Sequence, residues 1–342
     1  MTVALRILAA GPGVTLQDGG RHGYLRFGVT AAGPMDPLAF ATANKAAGAP
    51  LGAAAIEVSL GGVELSVEGG SVSLAIAGGT FKVSLDGRDV PMPCLARLAP
   101  ESRLSIRPGP EGAWCYVAPA GRIDVPPVLG SVSTHTRSGI GGINGRALAA
   151  GDVLPIVAPR AFDDVVATIA AHWLVRPGAD IRVLLGPQYD YFSAGEIAAF
   201  LDGPWTLSGR SDRMAYALEG PKLTHAKGFN IVSDGIAFGA IQVPGAGAPI
   251  VLMADRQPTG GYPKIANVIG ADLGRLAQLR PGARFCFRAV NVEEAVAARR
   301  AEAAALAAPL TIEPLVRADL PSEFLLGLNL VGGVTAGEGG ER

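Results

Sequence analysis

The sequence predicts a mainly β protein, built from short strands that close into barrels or a sandwich, with a few short helices. Three observations carry that expectation. Across 63–117 apolar and polar residues alternate repeatedly, as in Val63-Glu64-Leu65-Ser66-Val67-Glu68 and again over 71–76, 81–85 and 102–107. A period of two puts one face of a strand in a core and the other toward water. Turn chemistry accompanies these runs at Asp86-Gly87 and Pro108-Gly109, because Gly admits positive φ and Pro fixes its own φ. Finally, 47 Gly and 26 Pro among 342 residues, with no fixed period, fit many tight turns and argue against a collagen-like or solenoid array.

The first element with definite ends is a helix at about 37–47. Asp36 can accept from its first-turn amides, Pro37 stands where no amide donor is needed, and Gly48 ends it. Beyond the alternating block the pattern loosens over 153–178, where Pro155, Pro159 and Pro177-Gly178 bracket an apolar piece, and the domain junction is expected there. A second block of strands is expected at 181–185, 229–233, 236–243, 250–253 and 284–290. Ser193 and Glu196 have capping-box spacing for a helix near 195–201, and Asn291 and Glu294 repeat it before an Ala-rich helix of about 292–307. The expected division is therefore a domain over 1–160, a domain over 161–290, and a C-terminal helix and tail over 291–342.

A net charge of −1 and the absence of a basic run give no field that gathers polyanions, so nucleic acid is not an expected partner. Arg6 falls where a secretory signal needs its apolar core, and the longest apolar stretch, 165–175, is interrupted by His172 and too short to span a bilayer. No membrane association is expected, and the location expected is cytoplasmic. Cys94, Cys115 and Cys286 are odd in number and far apart, which suits reduced, buried thiols. No G-x-x-x-x-G-K-[ST] or G-x-G-x-x-G segment is present, so any ATP used is expected on another chain. His22, His135, His172 and His225 are isolated from one another, and neither a metal nor a cofactor site is expected.

Polar, Gly-rich segments are the candidates for chemistry, since they combine hydrogen-bonding side chains with backbone that a ligand can approach closely. They are Gly13 through Gly23 with Gly33-Pro34-Met35-Asp36-Pro37, then Ser133-Thr134-His135-Thr136-Arg137-Ser138-Gly139, and Ile241-Gln242-Val243-Pro244-Gly245 with Asp255-Arg256-Gln257-Pro258-Thr259-Gly260-Gly261-Tyr262-Pro263-Lys264. Together with Gly186-Pro187-Gln188 and Ser211-Asp212-Arg213-Met214, they resemble the family known as allophanate hydrolase subunit 2, biotin-dependent carboxyltransferase-like, or the 5-oxoprolinase C subunit. The likeness runs over about residues 11–290, with Pro258 where the family commonly has Thr and Ala215 where it commonly has Gly.

The resemblance implies two cyclophilin-like β-barrel domains and membership, as the C subunit, of an ATP-dependent 5-oxoprolinase. Such a complex opens the lactam of 5-oxoproline to glutamate with the help of its B and ATP-using A subunits. It also implies two alternatives: a carboxyltransferase subunit of a urea or amide carboxylase using carboxybiotin, or a regulatory antagonist of a histidine-kinase inhibitor. Neither a biotinyl domain nor a biotin carboxylase region is expected within these 342 residues. Asp255, Lys264 and His135 are the expected catalytic residues, and Arg137, Asp212, Arg213, Gln242, Arg256, Gln257, Gly260, Gly261 and Tyr262 are expected to hold substrate. Arg and Lys suit a carboxylate or phosphate, Gly-rich amides a developing oxyanion, and Asp a directed water. Asp36 is expected to act as a helix cap, and Trp114, Trp173 and Trp205 to pack.

Overall fold

The computed structural model describes residues 2–315 apart from 164, 177 and 179. Its first half holds two seven-stranded sheets. One is ordered Arg122–Ile123, Val153–Val157, Ala4–Ala10, Val63–Glu68, Arg103–Arg107, Lys82–Leu85, Arg88–Val90; the other is ordered Thr15–Gln17, Ala55–Val58, Cys115–Pro119, Val72–Gly78, Cys94–Leu98, Val166–Ala170, Thr311–Pro314. Alternation decides what lies between them. Leu65 and Val67 of the first sheet share a buried core with Ile56, Leu74, Ile76 and Val117 of the second.

The residues between those inward positions face the other way. Ala75 and Ala77, one register off Leu74 and Ile76, pack with Ala39 and Ala43 of helix α1 (Pro37–Ala46). Small side chains on both surfaces let the helix lie close to the sheet. Asp36 caps α1 by accepting from the Ala39 amide, and Pro37 opens it, as the sequence predicts.

In the second half Asp180–Leu185, Lys264–Val268, Ala240–Gln242, Ile250–Leu252, Ala215–Glu219, Trp205–Leu207 and Arg284–Ala289 form a closed barrel. The last strand runs parallel to the first and closes the ring. Trp205, Phe285 and Phe287 are buried, and α2 (Ala194–Asp202) adds Phe200, stacked on Phe287. The short α3 (Leu273–Ala277) and the longer α4 (Val292–Ala307) follow, and no helix among the described residues is long and apolar enough to cross a membrane. The fold is thus mainly β, with four α-helices among the described residues.

Three expectations need correction. The region 153–178, expected to lack a strand period, contains strands Val153–Val157 and Val166–Ala170. The second of these lies beyond residue 160 yet pairs with Cys94–Leu98, and Thr311–Pro314 pairs with it in turn, so the first half's sheet takes in chain from beyond the expected boundary. The segment 229–233 is not a strand: Val232 is 91% exposed, and the Ile231 amide meets Gly261 O in a loop-to-loop contact. Of 236–243 the barrel uses Ala240–Gln242; just before it, Asp234–Gly235 pairs with Thr259–Gly260 outside the barrel.

Candidate active site

Where the halves meet, one guanidinium is shared by two carboxylates. Arg213 donates from Nε and Nη2 to the two oxygens of Asp255, at 2.9 Å each, from Nη1 to Glu57 Oε1, and from Nη2 to Gly33 O at 2.8 Å. Glu57 lies in strand Ala55–Val58 of the first half and is fully buried. Its other oxygen accepts from the Met35 amide and the Tyr116 hydroxyl, both at 2.8 Å, while the Tyr116 oxygen accepts from the Asp36 amide. Burial pushes the Glu57 carboxyl above the ordinary range; Arg213 opposes this, but Asp255 takes its bidentate face and adds its own repulsion. Arg213 itself is held charged: desolvation disfavours the cation, and the two carboxylates more than offset it.

This network backs a cleft of about 570 Å³ between the halves. Of the twelve residues expected to bind or react, four line it: Arg137, Asp212, Arg213 and Asp255. Arg137 of the first half donates to Asp212 of the second at 3.0 Å, and both are more than half exposed. That pair therefore ties the two lips of the cleft with little energy of its own. The apolar wall includes Trp114, whose Nε1 donates to Tyr216 Oη at 3.1 Å, and Tyr216 in turn donates to Ala277 O. Arg213 uses each of its three nitrogens within the protein and so positions Asp255 and Glu57 at the back of the cleft.

A second group forms on the barrel. Lys264 is buried, and its Nζ donates to Asp234 Oδ2 at 2.6 Å. That contact, with the Gly235 amide, holds the exposed Asp234 carboxyl below its ordinary range. Gln242 is the cross-strand partner of Lys264, at a register shift between Ile241 and Gln242. Facing residues share one side of a sheet, and a bulge re-aims them. The Gln242 Nε2 reaches Tyr262 O at 3.4 Å, but its Oε1 is buried with no hydrogen-bond partner among the described residues. Gly260 makes the arrangement possible: a Cβ there would lie 2.6 Å from Gln242 Nε2. Lys264, Gln242, Gly260 and Tyr262 thus come together, apart from the residues that line the cleft.

The remaining expected residues are placed as follows. Gly261 accepts from the Ile231 amide, next to this second group. Arg256 donates to Ile236 O at 2.9 Å and lies over the Phe238 ring. Gln257 keeps a buried Oε1 without a partner among the described residues. His135 is buried, and its Nδ1 accepts from the Ser138 amide within its own turn. The expected residues do not all line one cleft: Lys264 and Gln242 belong to neighbouring strands of the barrel, while Asp255 is drawn to Arg213. Sequence reasoning missed Glu57 and Asp234. A lone acid inside Ala55-Ile56-Glu57-Val58 was the available signal for the first.

The carboxyltransferase domain, subdomain A and B, matches residues 27–289. The chain is 40% identical over 296 residues to the 5-oxoprolinase C subunit of Escherichia coli (strain K12), covering 86% of this chain and 94% of that protein. It is 37% identical to the 5-oxoprolinase C subunit of Haemophilus influenzae, covering 84% and 91%. The crystal structure of the Kluyveromyces lactis urea amidolyase superposes with a TM-score of 0.82 at 28% identity, over 89% of this chain and 20% of that one. A domain match across most of the chain, with relatives aligned over nearly their whole lengths, places this protein in the carboxyltransferase-domain family that includes the 5-oxoprolinase C subunits.

Proposed function

We propose that this chain is the non-ATP-binding C subunit of a 5-oxoprolinase, working with B and ATP-using A subunits to convert 5-oxoproline to glutamate. The observation that carries the reading is 40% identity spread over 94% of a protein of that name. In the reaction water adds to the lactam carbonyl carbon, the C–N bond breaks and the ring nitrogen takes up a proton. An unstrained amide is a poor electrophile, so the partner's ATP transfers its γ-phosphoryl group to the lactam oxygen with release of ADP; ring opening then leaves an acyl phosphate, which a second water hydrolyses to the carboxylate and inorganic phosphate. The barrel group suits what remains. A buried ammonium on Lys264 stabilises negative charge developing on the lactam oxygen, and the open Gln242 Oε1 accepts the ring N–H.

The test is reconstitution with the cognate A and B subunits, ATP and 5-oxoproline, following glutamate. Turnover should require this chain, and Lys264→Met should lower it by about 10²-fold or more. Full turnover with the chain omitted rejects the proposal.

A second reading, a carboxyltransferase subunit that takes a carboxyl group from carboxybiotin on another protein, is favoured by the fold match to urea amidolyase. The open Gln242 Oε1 suits a ureido N–H as well as a lactam N–H. Dependence on bicarbonate and inhibition by avidin would select this reading over the first.

A further inference from the structure

A second cavity of about 580 Å³ shares a wall with the cleft. Its size is that of small-molecule sites, which favour the junction between two domains. Gln278 builds the wall: its Oε1 accepts from the Ala113 and Trp114 amides, and its Nε2 donates to Trp114 O. Trp114 lines the cleft, Gln278 lines the second cavity, and Leu279 lines both. None of the groups proposed for the reaction borders the second cavity, so its role is a separate question.

The lining is apolar at Leu174 and Ile181 but carries three guanidiniums, Arg176, Arg275 and Arg280, against one carboxylate, Glu111. Two of the cations have acidic neighbours: Arg176 pairs with the buried Asp36, and Arg275 lies 3.8 Å from Asp272. Arg280 stands differently. Its Nε is fixed on Gly112 O at 2.7 Å, and its Nη2 is buried with no hydrogen-bond partner among the described residues. A cation held beside apolar walls attracts an anion more strongly than one in bulk water, and an unmade N–H bond is a cost that a carboxylate relieves.

We propose that this cavity binds a small organic carboxylate, its anion paired with Arg280 and its apolar body against Leu174 and Ile181. Both the ring and the open-chain amino acid of the proposed reaction have a carboxylate of this kind, and binding separates them. The experiment is calorimetric titration of the full chain with 5-oxoproline, with L-glutamate, and with uncharged pyrrolidin-2-one. At least one carboxylate should saturate, and the tighter of the two identifies the source; pyrrolidin-2-one should bind at least about tenfold more weakly, a loss of about 1.4 kcal/mol. Arg280→Gln should weaken the carboxylate by a similar factor. Val175→Asp, at a 75% exposed position lining the cavity, sets an anion there without disturbing the core and should do the same. Binding should persist in Arg137→Ala, which alters the cleft alone. No saturation by either carboxylate, wild-type affinity in both cavity variants, or loss of binding in Arg137→Ala would overturn the proposal. Because the titration needs no other protein, its failure is distinct from a failure of the reconstitution.

Discussion

At the scale of single residues, the sharing of Arg213 between Glu57 and Asp255 is the feature with the largest consequence. Charges taken out of water are tolerated only while each is answered, and removal of one partner leaves the others exposed to the full penalty. Arg213→Met leaves two buried carboxylates near each other, so we expect a loss of about 3–5 kcal/mol, read as a shift in the urea midpoint. Glu57→Gln in that background should recover part of it, because the neutral amide removes the repulsion; simple additivity of the two variants would show the network to be unimportant. Arg213 was legible in the sequence, standing in a polar Ser-Asp-Arg-Met segment. Glu57 was not, since Ala55, Ile56 and Val58 read as an ordinary buried strand and its partner lies 156 residues away.

At the scale of elements, local chemistry predicted helices better than it predicted strands in the second half. α1, α2 and α4 lie within a residue or two of their expected positions because capping is written in adjacent residues. The strands at 63–117 were legible for a similar reason: one face is buried and one wet, so the alternation survives. Segment 229–233 failed because it lies in a loop with Phe229 and Val232 exposed, where no periodicity reports the outcome. α4 gives the measurable case. It has a full capping box between Asn291 and Glu294 and no buried residue, while Lys45 of α1 donates to the carbonyls of Leu306 and Ala308 at its end. With so little burial, its stability rests on its ends. Asn291→Ala should therefore cost about 1 kcal/mol, seen as faster amide exchange over the first turns of α4 with exchange in the barrel strands unchanged. Equal acceleration in both would place α4 inside the main cooperative unit.

At the scale of the whole molecule, the halves are held by ionised groups that titrate in opposite senses. Asp36 belongs to the first half, Arg176 to the connection and Gln278 to the second half, and all three meet at one carboxylate. α3 can approach because residue 274 is glycine: a Cβ there would lie 2.2 Å from Asp36 Oδ1. Burial alone would raise the Asp36 carboxyl, but Arg176, Gln278 and the Ala39 amide outweigh it and hold it below its ordinary 3.8. A depressed value means that the folded state favours the ionised form, so this stability is present above pH 3.8 and is lost as pH falls through the folded value. Asp18, held down by Ser131, Ser133 and two amides despite its burial, acts in the same direction. Glu57 has the opposite sign: its contribution is present below its ordinary 4.5 and is lost as pH rises through the raised value. The urea midpoint should therefore fall as the solution is acidified below the ordinary aspartate range. Asp36→Asn should be less stable than wild type at neutral pH, yet its acid limb should be shallower, because the proton that wild type takes up there has no site to occupy. Glu57→Gln should keep the wild-type acid limb while flattening the change above pH 4.5. If the acid limb of Asp36→Asn matched wild type in slope, the Asp36–Arg176–Gln278 contact would not be what ties acid stability to the junction of the two halves.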